Sequence, residues 1–295
     1  MLDFRIETFL AVCETMNFTR AAEKLRLTQP AVSQHIRWLE ERYQTKLFRY
    51  QGKKLSLTPG GETLRSAALT IGHDAAYLRE KILHAEEKNH MPVFGATLTV
   101  ADFALPRRLG EWLRQDARRT LRMVVGNTSQ LLSLLDAGEV DFALVEGYFP
   151  RGAYSSRLFL REEYIAVCAP DFSLPEEPLA LKDLLNCRLL LREEGSGTRS
   201  VLERHLEAHG LSTGDFPVRI ETGSLHAIKE LAADGCGITF LYRCAARREL
   251  EEGRLREIPL SDLQISHEFR FIFRSGSIFE EEYLQLFHFL KKSAL

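Results

Sequence analysis

Gln29, Ser33 and Arg37 recur every four residues, with Gln34 beside them. On a helix that spacing puts the first three side chains on one face. Each has the chemistry to read a base edge. A glutamine amide pairs with adenine, a guanidinium with guanine, and a hydroxyl with either kind. Arg20, Arg49, Lys53 and Lys54 lie around them and suit phosphates, which position a protein on a duplex without specifying sequence. A second set of candidates is scattered downstream: Asp102-Phe103, Asn127-Thr128-Ser129, Gly195-Ser196-Gly197-Thr198 and Gly223-Ser224. Each stands at the start of a helical pattern, where free N–H groups and the positive end of the helix dipole attract anions. The same residue types are ordinary helix caps, so capping alone is the competing explanation at every one of them.

The first set must be held by short packed helices. Ile6, Phe9, Leu10 and Cys13 share one face of a first helix. Asn17 and Thr19 are cap candidates for a second, Arg20 to Leu25, and Thr28 for a third, with Pro30 tolerated in its first turn. In the third helix Val32, Ile36, Leu39 and Tyr43 form an inward stripe. Ala22 is small where two helices must cross, and Leu25 and Leu27 add buried contacts. This is a helix-turn-helix over residues 18–37, whose third helix enters the major groove by its N-terminal residues, Thr28, Gln29 and Pro30 among them. Leu47-Phe48, the turn Gln51-Gly52-Lys53-Lys54 and Leu55-Ser56-Leu57 read as a hairpin with a basic tip. The rival is a plain three-helix core with a solvated polar face.

Thr58-Pro59 opens a long helical pattern in which Leu64, Ala68, Ile71, Ala75, Leu78, Ile82 and Ala85 keep a heptad seam. Such a lone helix needs a partner, most simply a second copy of itself. Beyond Met91-Pro92, strand-like runs (96–101, 121–125, 142–145, 164–168, 188–191, 218–221, 238–242, 269–273) alternate with helical ones (106–117, 129–137, 199–208, 224–233, 279–291). The whole reads as α/β.

The 295 residues carry a net charge of −2, which by itself points away from DNA. Residues 1–58, however, hold ten Lys/Arg against six Asp/Glu, while the remainder holds 29 against 35. A basic head on an acidic body restores a nucleic-acid partner. No apolar run reaches the ~18–20 residues of a bilayer span, and the first residues lack a signal-peptide layout. Five cysteines without a C-x-x-C pair argue for a reducing cytoplasm. Gly195-x-Gly197 lacks the third glycine of a dinucleotide fingerprint, and no G-x-S-x-G elbow occurs. His205 and His209 are spaced to share a metal, but their charged helix reads better as a surface. No paired acid and base or nucleophile-base set supports an enzyme.

Phe18-Thr19-Arg20-Ala21-Ala22, Thr28-Gln29-Pro30-Ala31-Val32-Ser33-Gln34-His35-Ile36, Leu47-Phe48 and Leu57-Thr58-Pro59-Gly60 closely resemble the LysR-type transcriptional regulators. The resemblance continues through Leu134 to Glu146, Leu190 to Arg199, and Ala227 to Lys229 with Gly235 to Ile238. It implies a winged helix-turn-helix over 1–58, a linker and dimerisation helix over 59–90, and an effector-binding domain over 91–295 resembling periplasmic binding proteins. Lobe I would take about 93–164 and 268–295, and lobe II about 165–267. It implies dimers assembled as tetramers on promoter DNA, a small-molecule effector between the lobes, contact with RNA polymerase, and no cofactor. Two departures stand out. Gln44 replaces the usual glycine after the third helix, which implies strain or an altered turn, and Tyr50 replaces an arginine, with Arg49 before it. Two other readings compete. One is a thiol-redox sensor using Cys236 and Cys244, although the segment that carries the reactive cysteine in peroxide-sensing members, here Gly195 to His205, contains none. The other is a ligand-binding module with a vestigial head.

Overall fold

The structure, a computed structural model, describes residues 3–52, 54–83, 91–176 and 178–292. Lys53 at the hairpin tip and Ala85 at the end of the seam lie outside the described residues. Three helices open the chain: α1 (Phe4–Thr15), α2 (Phe18–Leu25) and α3 (Gln29–Tyr43). The antiparallel hairpin β1 (Phe48–Gln51) and β2 (Lys54–Leu57) follows, with Phe48 opposite Leu57. The caps form as the sequence implies. Asn17 Oδ1 accepts from the N–H groups of Thr19 and Arg20, and Thr28 Oγ1 from that of Ala31. Capping by Asn17 starts α2 at Phe18, two residues ahead of the expected start. The core gathers Phe9, Val12, Ala21, Ala22, Val32, Ile36 and Leu39. Phe48 sits 5.5 Å from the Phe9 ring and 5.7 Å from that of Phe18, locking the hairpin to the helices.

Two expected core residues lie outside this core. Leu27 is 41% exposed, because it sits in the turn between α2 and α3 rather than in either helix's register. Tyr43 is 52% exposed, because α3 ends with it and no neighbouring element reaches that far. The next residue, Gln44, is left-handed at φ +49°. The turn that glycine usually makes is thus retained, with a side chain carrying its strain.

Helix α4 (Pro59–Leu83) runs 25 residues from the head to the body. Thr58 Oγ1 caps it by accepting from the Gly61 N–H at 3.0 Å. Its faces divide the expected seam. Leu64 and Ala68 pack on the head core, so the first two seam positions are satisfied inside the chain. Ile71, Leu78 and Ile82 remain 54%, 44% and 64% exposed. A different face docks onto the body. Asp74 accepts from Ser277 Oγ at 2.6 Å and from the Ile278 N–H at 3.0 Å. His73 Nε2 meets the Val140 carbonyl at 3.1 Å, and Tyr77 OH donates to Glu282 at 3.0 Å.

The body comprises β3 (Val93–Thr97), α5 (Pro106–Arg114), β4 (Arg122–Gly126), α6 (Thr128–Ala137), β5 (Phe142–Val145), β6 (Tyr154–Cys168), β7 (Leu189–Leu191), α7 (Gly197–Ala208), β8 (Arg219–Glu221), α8 (Leu225–Ala233), β9 (Ile238–Tyr242), α9 (Arg243–Glu251), β10 (Arg256–Ile258), β11 (Ile265–Arg274) and α10 (Glu280–Lys292). One sheet runs β4-β3-β5-β11-β6-β9-β7-β8, with β10 on β6. Its two wings, β4-β3-β5 and β9-β7-β8, are parallel, as helical crossovers require. The long antiparallel pair β6/β11 crosses the middle and divides two lobes. Phe94, Phe142 and Phe271 stack through lobe I, and Tyr164, Tyr242 and Phe269 across the join. The run read as a strand over 96–101 is instead the end of β3 followed by a π-helical turn, Val100–Ala104. An apolar run this short has no periodicity to distinguish the two.

Candidate functional site

On the head, α3 points Gln29, Gln34 and Arg37 outward, while Ser33 is half-buried between them. Gln29 Nε2 donates to Ser33 Oγ at 2.9 Å, so two candidate readers are pre-aligned on one face. Arg37 has no ion pair among the described residues. Arg20, Arg49, Tyr50 and Lys54 are exposed around this face. Thr28 and Pro30 form the start of α3, exposed, with Thr28 occupied as its cap.

In the body, the candidates that come together do so at the C-terminal ends of the parallel strands, where open α/β sheets place their ligands. Asn127 follows β4 and caps α6 through a full capping box with Gln130. Thr128 is buried. Across the divide, Ser196, Gly197 and Thr198 begin α7 and are buried as well. The lobes touch here. Asn127 Nδ2 lies 3.5 Å from Glu193 Oε1, and the Ser129 N–H 3.5 Å from the Gly195 carbonyl. Gly195 takes φ +85°, which turns the chain toward α7. A Cβ at Gly147 would overlap Thr128 Oγ1 and lie 2.9 Å from Gly197 Cα. Only two glycines allow the lobes to approach this closely.

Asp102, Phe103 and Ser224 make no hydrogen bond to these groups among the described residues. Asp102 and Phe103 lie in the π-helical turn and are exposed, with the Phe103 ring 5.0 Å from Lys229 Nζ on α8. Partial burial of its carboxyl raises Asp102, opposed by nearby Lys229. Ser224 is exposed and accepts from the Ala227 N–H at 3.2 Å, an ordinary cap of α8.

The sequence pattern missed the most buried members. Glu146, at the end of β5, is 1% exposed, and burial pushes its carboxyl up to about 7. Its Oε1 accepts from Thr198 Oγ1 across the lobes at 3.3 Å. Arg192, after β7, gives Nε and Nη2 to Glu193 at 2.8 and 3.0 Å. Thr97, Thr128 and Tyr242 hydroxyls, Glu146 Oε2 and Arg192 Nη1 are buried without a hydrogen-bond partner among the described residues. An acid closing the fully apolar run Phe142–Val145 was the available signal. A further missed residue, Arg274, is 1% exposed and joins α6 to α4: Nη1 donates to Asp136 at 2.8 Å and Nη2 to the Ser66 carbonyl at 2.9 Å.

Four of the five thiols, Cys244 of the redox reading among them, are not poised for redox chemistry. Burial pushes Cys244 and Cys13 up to about 12 and Cys168 to about 11, and it raises Cys187. Near His205 and His209 each ring places a nitrogen on a backbone carbonyl, at 2.7 Å (Asp262) and 2.8 Å (His205). Each ring thus has one nitrogen engaged by the backbone.

Comparison with known proteins decides the family. The sequence model of the LysR substrate binding domain matches residues 92–294, and that of the bacterial regulatory helix-turn-helix protein, lysR family, matches residues 5–62. The chain belongs to the LysR family. It is similar to the RuBisCO operon transcriptional regulator of Acidithiobacillus ferrooxidans, 32% identical over 92% of this chain and 87% of that one. It is also similar to the HTH-type transcriptional regulator CysL of Bacillus subtilis, 28% identical over 90% and 89%. In fold, this LysR-type regulator resembles the Corynebacterium glutamicum OxyR C206 mutant, with a TM-score of 0.60, 24% identity, and coverage of 98% and 90%. The regulatory domain of Synechocystis CcmR, solved in complex with 2-PG, aligns with a TM-score of 0.61 and 22% identity over 70% of this chain and 98% of that domain. This LysR-type chain is therefore a DNA-binding transcription regulator with an effector-binding domain. No helix among its described residues is long and apolar enough to cross a membrane.

Proposed function

We propose that this regulator binds promoter DNA as a dimer and responds to a small anionic effector held between its lobes. Residues 1–58 read DNA, 59–90 pair two chains, and 91–295 sense the effector. The third helices enter successive major grooves through Gln29, Ser33, Gln34 and Arg37, while Arg20, Arg49, Lys53 and Lys54 meet phosphates. The observation that carries this reading is the α3 face, exposed and without an ion pair among the described residues on a rigidly packed three-helix core. The outward face of α4, with Ile71, Leu78 and Ile82, supports pairing with a second copy. Dimers assembled as tetramers then act on RNA polymerase in the cytoplasm. The scheme requires no cofactor and no catalytic step.

Asn127, Thr128 and Ser129 meet Gly195 to Thr198 where anions are favoured by two helix N-termini, α6 and α7. The complex of the CcmR regulatory domain with 2-PG supports a small-molecule effector on this fold. Helix α6 carries the signal. Thr128 stands at its cleft end, and Asp136, eight residues or about 12 Å along, grips Arg274 and through it the Ser66 carbonyl of α4. An effector shifts DNA binding only by favouring one arrangement of these parts over another. The test is binding to the promoter beside its own gene. Replacing Ser33, Gln34 and Arg37 by alanine weakens it and relaxes specificity. Wild-type binding by all three variants sinks the groove assignment.

A further inference from the structure

Burial of the Glu146 carboxyl outweighs the attraction of the nearby Arg192 guanidinium and raises its titration. The nearest guanidinium, Arg192, is committed to Glu193 through two nitrogens. Thr198 supplies a hydroxyl to Oε1, and it and the Thr99 hydroxyl beside the carboxyl favour the charged form without outweighing burial. His267 of β11 places Nε2 2.5 Å from the Glu146 backbone carbonyl, which fixes its proton on that nitrogen. Burial lowers the titration of His267 and raises those of Tyr164 on β6, Tyr242 on β9 and Cys244 on α9. His267, the two tyrosines and Cys244 are therefore all neutral near pH 7, and Glu146 is the group in this shell that changes charge there.

The chemistry of the unsatisfied atoms then follows. Arg192 Nη1 only donates, and the hydroxyls of Thr97, Thr128 and Tyr242 are able to donate. Glu146 Oε2 joins them when it carries the proton. A buried set of donors is matched by an anion's oxygens and by little else, since any group left unmatched costs free energy.

We propose that Glu146 enters the effector complex as a neutral carboxylic acid, its Oε2–H donating to an anionic oxygen, so that each effector anion is bound together with one proton. This rests on the reading of the interlobe cleft as the effector site. The proton is supplied by the buffered solvent. At a pH where the carboxyl is ionised in the free protein, binding consumes one proton from the buffer, and an anion nearby holds the carboxyl protonated more firmly still. The sign is fixed. Affinity is constant where the free protein already carries the proton, below about pH 7, and falls as pH rises beyond that. A charged Glu146 reading an ammonium group would give the opposite slope.

The experiment is calorimetric titration of the full chain with sulfate and with oxalate between about pH 6 and pH 8.5, where both probes stay dianionic. Affinity should fall roughly tenfold per unit above the break. Repeated near the upper limit in two buffers of different ionisation heat, the titration should count an uptake approaching one proton. In E146Q, whose amide donates but does not titrate, the slope should vanish. A flat or rising wild-type profile, no proton uptake, or a slope that persists in E146Q overturns the proposal. If E146Q fails to fold by circular dichroism, the wild-type proton count decides alone. If neither anion binds at any pH, the anionic-effector reading itself falls, an outcome distinct from binding without proton linkage.

Discussion

The head and the cleft solve recognition in opposite ways. On α3 the proposed reading side chains are exposed, save half-buried Ser33, and bond only to one another, presented by a core that takes no part in contact. Between the lobes the unpartnered groups are buried, arrive from the ends of separate strands, and depend on two glycines for their approach. The head is finished before its ligand arrives, because a duplex is rigid and brings its own regular spacing. The cleft is a closure whose unsatisfied atoms make the occupant part of the fold.

That contrast can be broken, beginning with the largest effect. Replacing Ile71 and Leu78 together by Glu should give monomers in sedimentation and cost roughly 10²-fold or more in promoter affinity, because two heads no longer act together. Intact dimers would place assembly in the sensor lobes alone. Next, Arg274→Met leaves Asp136 without its buried cation and should cost about 3 kcal/mol in denaturant unfolding. In the folded fraction effector should still bind while DNA affinity no longer responds to it; a full response would rule out the α6 path. Ser33→Ala, Gln34→Ala and Arg37→Ala should each cost ~1–3 kcal/mol in DNA binding and leave effector affinity unchanged. Gly147→Ala should do the reverse, since overpacking against Thr128 costs about 1–3 kcal/mol of closure and weakens effector binding roughly tenfold or more. The smallest effect is Gln44→Gly, which should stabilise the head by about 0.5–1 kcal/mol in thermal unfolding by relieving a left-handed side chain.

The same contrast explains what was legible in the sequence. The head is local. Asn17, Thr28 and the Val32-Ile36-Leu39 stripe announce themselves within a few turns of helix, and only Leu27 and Tyr43, at element ends, were misplaced. Strands β5 and β9 were legible for a similar reason, as short apolar runs between turn residues. The polar helix starts at Asn127-Thr128 and Gly195 to Thr198 were visible because capping chemistry is local, yet the same rule offered Ser224, which merely caps. Arg192 and Arg274 were not legible, and Glu146 was so only as an acid closing an apolar run, because their importance lies in burial and in partners up to 208 residues away. The split of the α4 seam was hidden as well, since spacing cannot say whether a small apolar residue such as Ala68 faces a second chain or its own head.

Helix α4 writes two addresses in one stretch of sequence. Thr70, His73, Asp74 and Tyr77 belong to its own sensor, while Ile71, Leu78 and Ile82 are interleaved among them and face outward. One added codon in this stretch would turn everything beyond it by about 100° and detach one of the two faces. Only a whole heptad keeps both in register, and that would carry the head about 10 Å further from the sensor. The length of this segment should therefore tolerate change far less than its composition does.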